Sequence, residues 1–163
     1  MNKLMISAVC VVLASGPITG ASQGDRDTLA EKLLASARTV RCSYTHGGYT
    51  RLDSVPIKTV QRESADSSDI FFDRIDRQHH IARAIADVGT GSVSVIASKE
   101  ALTFVEIPPL SGFPNVYTVF GRFTPGSPDM RSGDLLSVVS VHMIAGREVL
   151  ATQDYGRCHV VAN

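Results

Sequence analysis

The residues with the clearest chemistry are two cysteines at opposite ends of the chain. Cys42 and Cys158 bracket most of the sequence, and a third cysteine, Cys10, lies in an apolar N-terminal segment. Two cysteines in an oxidising compartment usually pair, so we expect a Cys42–Cys158 disulfide. Such a bridge would close a loop over most of the chain, and the entropy that the unfolded chain thereby loses would stabilise the fold by about 4–5 kcal/mol. A reactive thiol is not indicated, because there is no CxxC motif to lower its pKa.

The histidines do not form a metal-binding pattern. None shows HxH or HExxH spacing, and neighbours in a strand point to opposite faces, so His79 and His80 predict a solvated turn. His142 ends the apolar run Leu135–Val141. It is either an inward-facing ligand contact or a histidine of the core or rim.

Catalytic motifs are not apparent either. A glycosidase needs two carboxyls in a cleft that aromatic rings often line, whereas this chain has no tryptophan and 6% aromatic residues. No GxSxG motif is present, and neither Gly47-Gly48 nor Gly89-x-Gly91 continues into GK[ST], so both predict turns. We therefore predict a non-enzymatic protein without cofactor or metal, and keep a hydrolase as the third hypothesis. The carboxylates on predicted strands are Asp73, Asp76, Asp87 and Glu106.

Arginines and aspartates alternate around one predicted hairpin. At strand spacing such charges usually form cross-strand ion pairs on a solvated face, and the alternative is a surface that contacts a partner. The residues concerned are Arg74, Arg77 and Arg83 with Asp73, Asp76 and Asp87.

Residues 1–21 are predicted to be a secretory signal peptide. Lys3 precedes an apolar run over residues 4–15 that is too short to span a membrane, and small residues follow it. Cleavage after Ala21 is expected, and a buried helix or uncleaved anchor is the alternative. The protein would then be periplasmic or secreted. Residues 22–163 are enough for one domain, with nearly balanced charge, no nucleic-acid surface and no membrane span.

One helix and then a series of strands are predicted for this domain. Thr28 and Glu31 fit a capping box, which places an amphipathic helix over about residues 28–38. From Thr39 onward, short runs rich in Val, Ile, Phe, Tyr and Thr alternate with turn residues, which is the signature of strands. A polar stretch, Glu63 to Ser68, is predicted as a loop.

About seven or eight strands without βαβ alternation predict an all-β, mainly antiparallel fold. A disulfide between the first and last strands requires neighbouring termini, which a closed or nearly closed up-and-down barrel provides. A β-sandwich is the alternative.

Two families resemble the chain in layout. Val40-Arg41-Cys42 and the near-terminal Cys158 are similar to the layout of the bacterial lysozyme inhibitors of the periplasm, although the loop by which those inhibitors enter the lysozyme cleft has no counterpart here. The expected barrel also resembles lipocalins, but the chain lacks the GxW motif. Neither resemblance assigns a functional residue.

Two functions from different classes follow. The first is a binding or inhibitory module that contacts a protein or envelope component through loops such as Phe113–Asn115 and Phe123–Asp134, with Arg122 nearby. The second is a lipocalin-like carrier of a small apolar ligand, in which the small side chains at 82, 84 and 86 line a cavity and His142 or Tyr117 supplies a polar contact. A filled interior would favour the first function, and a partly empty interior the second.

Overall fold

The computed structural model describes residues 22–53, 56–87, 89–108, 112–125 and 134–161. The predicted signal peptide and the centre of the predicted loop Phe123–Asp134 lie outside these residues. Of the described residues, none form a helix with the length and apolar character that crossing a membrane requires.

The chain forms one helix followed by eight antiparallel strands that close into a barrel. Each strand pairs with the next in sequence, and β1 pairs with β8 to complete the ring. This confirms the predicted all-β up-and-down barrel and not the sandwich. The elements are α1 (Gln23–Ser36), β1 (Val40–Arg51), β2 (Lys58–Asp76), β3 (Ile81–Ala86), β4 (Gly89–Ala97), β5 (Ala101–Glu106), β6 (Asn115–Phe123), β7 (Asp134–Ala145) and β8 (Glu148–Val160).

The disulfide closes the ring where the first and last strands meet. Cys42 and Cys158 are directly paired residues of β1 and β8, their Cα atoms are 4.0 Å apart, and both are fully buried. The bridge joins residues 116 positions apart in sequence. The predicted pairing is therefore confirmed, and so is the argument that it requires adjacent terminal strands.

The barrel interior is a packed apolar core. Inward-facing residues alternate with outward-facing ones along each strand, as in Ala82 and Ala84 of β3, which are 4% and 3% exposed. At the centre the rings of Phe72 and Phe104 stack with centroids 3.9 Å apart. The two alanines belong to the same buried cluster as this ring pair. The small face of β3 therefore seats core side chains.

Helix α1 lies across one end of the barrel, which we call the closed end. Ala30 and Leu34 of the helix join the barrel core. Gly121 of β6 lets the helix approach, since a Cβ there would lie 3.2 Å from the Cα of Glu31. The guanidinium of Arg77 donates to the carbonyls of Leu34 and Ala37, at 2.7 and 2.8 Å, and so caps the end of the helix.

The helix begins earlier than the predicted capping box. Ser22 is the N-cap, and its hydroxyl accepts the amide of Asp25. Thr28 lies inside the helix, where its hydroxyl donates to the Gly24 carbonyl. The prediction of Thr28 as the cap was wrong because Ser22, more than one turn upstream, supplies the same kind of acceptor.

Four strands continue beyond the barrel at the other end, which we call the open end. β3 pairs with β2 only from Ile70 onward, and β6 pairs with β7 only as far as Val141. The remaining parts of β2, β1, β8 and β7 form a four-stranded sheet over residues 58–69, 46–51, 148–153 and 142–145, which we call the overhang.

Three predicted connections are parts of strands instead. The segment His46-Gly47-Gly48 continues β1 after an irregularity at Thr45, and the backbone of residues 63–68 belongs to β2. Gly89 and Gly91 lie in β4, with Gly89 directly paired to Ala86. In each case pairing with neighbouring strands overrides the local preference of glycine and polar residues for turns.

Candidate functional site

A groove of about 330 Å³ opens into the barrel beneath the overhang. Its floor is formed by two tyrosines, its walls are mainly apolar, and three aspartates contribute to its rim. The lining residues are Tyr44, Asp69, Ile70, Ala86, Asp87, Tyr117, Val139, Val141 and Asp154. Because helix α1 covers the opposite end, this groove is the opening of the barrel at the open end.

Tyr44 is positioned by a glycine on the neighbouring strand. Gly156 of β8 is paired with Tyr44 of β1 on one side and with Ser137 of β7 on the other. A Cβ at position 156 would lie 2.8 Å from a ring carbon of Tyr44. The absence of that atom lets the tyrosine extend across β8, and its hydroxyl lies 2.9 Å from the Ser137 Oγ. Ser137 in turn donates to the Thr118 carbonyl at 3.0 Å.

Tyr117 is positioned from the opposite side of the floor. Its ring packs edge-on against Phe72, with centroids 5.2 Å apart, and lies 6.2 Å from the ring of Tyr44. Its hydroxyl donates to the carboxylate of Glu106 at 3.3 Å, and Asn115 donates to the same oxygen at 3.1 Å. Glu106 therefore fixes the orientation of the hydroxyl at the floor.

Both tyrosines are held in the protonated form. Burial raises the pKa of Tyr44 to about 12, although its hydrogen bond with Ser137 opposes the shift. Burial also raises the pKa of Tyr117, and the negative charge of Glu106 adds to the effect. At neutral pH the two groups are hydrogen-bonding phenols in an apolar setting, and neither is poised as a general base.

The three aspartates at the rim differ in their contacts with other residues of the protein. Asp69 accepts hydrogen bonds from Ser43 and Arg41, which lower the pKa of its carboxyl. Asp154 lies over Gly47, where a Cβ would come within 1.9 Å of its Oδ1. Asp87 is exposed and makes no hydrogen bond or ion pair with any residue that the structure describes. The carboxylate of Asp87 is thus available to a ligand at the edge of the groove.

The four residues singled out from the sequence do not come together. Tyr117 is part of the groove floor, and Phe113 lies half-buried just before β6 at the open end. Arg122 is exposed near the closed end. The two loops predicted to contact a partner, Phe113–Asn115 and Phe123–Asp134, adjoin opposite ends of β6.

His142 does not point into the barrel. On β7 the buried positions are Leu135, Ser137 and Val139, so the even-numbered residues face outward, and His142 is exposed on the outer side of the overhang. The prediction that it could line the interior was wrong, because it assigned the even-numbered residues of β7 to the inward face of the strand. It borders a second groove of about 320 Å³ on that outer side.

Sequence reasoning missed Tyr44, Asp154 and the role of Asp87. The available signal was the alternation Val40, Cys42, Tyr44, which assigns Tyr44 to the same inward face as the bridging cysteine. Gly47 and Gly156 carried a further signal, because glycine inside a strand often marks close approach of another group. Asp154 and Tyr44 are those groups.

The predicted ion pairs around the β2–β3 hairpin are present in part. Arg83 of β3 forms a two-pronged ion pair with its cross-strand partner Asp73, as expected. Asp76 accepts the ring nitrogen of His79 at 2.7 Å in the turn that was predicted there. Arg77 turns toward helix α1 instead. Among the described residues, no three His, Cys, Asp or Glu side chains are grouped so that they could hold a metal ion.

The chain matches no protein-family model, no curated protein and no solved structure. The resemblances to lysozyme inhibitors and lipocalins therefore rest on the layout of two cysteines and a barrel. The fold and the groove define the chain as a small antiparallel up-and-down barrel with a disulfide across its closing strands, a helix at one end and a tyrosine-floored groove at the other.

Proposed function

We propose that the protein is an exported, non-enzymatic binding module whose open-end groove receives a basic side chain of a protein partner. The observation that carries this proposal is the difference between the two ends of the barrel. Helix α1 and the core side chains fill one end and the interior, whereas the other end presents a groove with phenolic hydroxyls below and carboxylates at the rim. The disulfide is compatible with export to an oxidising compartment.

The chemistry of the groove suits an arginine or lysine side chain. The aliphatic stem of such a side chain packs well against apolar walls, and Ile70 and Val141 supply such walls. The cationic head would meet Asp87, whose carboxylate is free of other described residues, and the aromatic rings of the floor. The raised tyrosine pKa values keep the hydroxyls neutral, so they donate and accept hydrogen bonds without acid–base chemistry.

The packed interior supports a surface-acting binder over a carrier. The predicted cavity wall, Ala82 and Ala84, belongs to the same core cluster as the Phe72–Phe104 stack. An apolar ligand inside the barrel would have to displace these rings, at a cost of several kcal/mol of core packing. A basic side chain in the groove displaces solvent only.

The test is a titration with a capped Gly-Arg-Gly tripeptide, followed by amide chemical shifts in ¹H–¹⁵N NMR spectra. Saturable shifts around Ala86, Tyr117 and Val141 are expected, with no response to capped Gly-Gln-Gly. The D87N variant should weaken binding about tenfold, because it removes a charge-assisted contact. Asp27 lies on helix α1 at the closed end, so D27N is the matched control and should bind as wild type does. Equal responses to the Arg and Gln peptides would contradict the proposal.

A further inference from the structure

The outer wall of the barrel carries another groove, of about 430 Å³, between the end of β2 and the β3–β4 pair. It is separate from the open-end groove, because its polar side chains project from the outward faces of the strands. Its volume is within the usual range for small-molecule sites. The lining residues are Arg74, Ile81, Ala82, Arg83, Thr90, Gly91 and Ser92.

Arg74 lines this groove and has a backbone conformation that residues other than glycine rarely adopt. Between Asp73 and Asp76 the register of β2 against β3 shifts, and Arg74 lies in the bulge with φ of 52°. A bulge of this kind normally carries glycine at the left-handed position. An arginine there is unfavourable for the fold, and such outliers often coincide with binding sites.

The guanidinium of Arg74 has no hydrogen-bond or ion-pair partner among the described residues. The neighbouring cation, Arg83, is already neutralised, since it contacts both carboxylate oxygens of Asp73. Its hydrogen bonds are the largest cause of the lowered pKa of Asp73, and the charge of Arg74 adds a smaller through-space effect. Asp76 is engaged by His79 and by two backbone amides of the turn. One uncompensated cation therefore faces the groove.

The other groups in the groove suit the remaining parts of an anionic ligand. Thr90 and Ser92 are outward-facing neighbours along β4, and neither hydroxyl bonds another described residue. Ile81 leaves 47% of its surface exposed and supplies an apolar contact. A guanidinium fork matches the two oxygens of a carboxylate, and a single free cation suits a monoanion better than a doubly charged phosphate.

We propose that this groove binds a carboxylate carried on a short aliphatic body, with Arg74 as the anion contact and Ile81 as the apolar contact. Free aliphatic acids and the C-terminal residue of a peptide both present this chemistry. The inference is independent of the function proposed for the open end, because the two sites share no lining residue.

The experiment titrates the full chain with sodium hexanoate and follows the backbone amides of Thr90, Gly91 and Ser92 by NMR. Saturable shifts are expected with hexanoate, and much weaker binding is expected with 1-hexanol, which lacks the charge, and with acetate, which lacks the aliphatic body. N-acetylleucine then represents a peptide terminus, and its affinity relative to hexanoate distinguishes the two sources.

The decisive variant is R74G, because it separates binding from folding. Glycine adopts φ of 52° without strain, so R74G should raise Tm by about 2–4 °C while weakening hexanoate binding tenfold or more. The control R157Q removes an exposed arginine from β8, on a different part of the outer wall, and should leave the affinity within twofold. Hexanoate binding that does not saturate, that hexanol equals, or that R74G retains would each overturn the proposal.

Discussion

Replacing Gly156 with alanine should destabilise the barrel, because the neighbouring strand leaves no space for a methyl group at this position. An ideal Cβ at this position would lie 2.1 Å from the Ser43 carbonyl oxygen and 2.8 Å from the Tyr44 ring. The nearer atom belongs to the backbone of the adjacent strand, so it cannot rotate away. The methyl group must therefore push β1 and β8 apart next to the Cys42–Cys158 bridge.

The expected size follows from two effects. Overpacking of a dense core costs about 1–3 kcal/mol. Displacement of Tyr44 also breaks its buried hydrogen bond with Ser137 and leaves the tyrosine hydroxyl without that partner, which adds about 1–3 kcal/mol. We therefore expect a loss of about 4 kcal/mol in the free energy of unfolding, which is a large part of the stability of an ordinary domain.

The assay is urea denaturation followed by tyrosine fluorescence, with G91A as the matched control. Gly91 is also a strand glycine, but a Cβ there would find only the Glu106 carboxylate, at an ordinary contact distance of 3.9 Å. G91A should therefore change the stability by less than about 1 kcal/mol. If G156A and G91A unfold at the same urea concentration, the reasoning that Gly156 exists to admit Tyr44 is refuted.

Three further predictions concern the bridge, the tyrosines and the helix. The C42A/C158A double variant should lose about 4 kcal/mol of stability in urea denaturation, because the bridge closes a loop spanning 116 positions; an unchanged midpoint would contradict the entropic argument. The pKa of Tyr44 is about 12 in the folded state against 10.0 in the unfolded chain, so its contribution to the free energy of unfolding is complete below pH 10 and is lost as the pH rises toward 12. The urea midpoint of Y44F should therefore fall less between pH 9 and pH 11.5 than the midpoint of wild type or of the control Y155F. R77A removes both hydrogen bonds to the C-terminal carbonyls of α1, whose last turn contains no basic residue of its own, so it should speed hydrogen exchange at the helix amides while the β1–β8 amides remain protected; uniform protection would argue against the cap.

The barrel could be predicted from the sequence because short apolar runs indicate its strands and two cysteines indicate its closure. Pairing of Cys42 with Cys158 requires adjacent terminal strands, and the structure has them in direct register. This is long-range information carried by two residues, and no local pattern supplies it.

The site could not be predicted, because its parts depend on register. His142 and Tyr117 were both reasonable polar contacts, yet a strand places alternate residues on opposite faces, and only Tyr117 belongs to the inward set. The prediction of turns at the glycines of β1 and β4 was wrong for a related reason. Their local preference favours turns, but pairing on both sides holds Gly47 and Gly48 in β1, and pairing with β3 holds Gly89 and Gly91 in β4.

The order of the strands governs how the chain can fold. Every pairing except that of β1 with β8 joins strands adjacent in sequence, so most of the sheet grows from local hairpins, which form within about 1–10 μs. Closure is the one non-local strand pairing among the described residues and is correspondingly slow. A chain made from its N-terminus therefore exposes the free edge of β1 until residues near Cys158 have been synthesised. During that interval the edge is open to pairing with other chains, and formation of the disulfide marks the moment when the edge disappears.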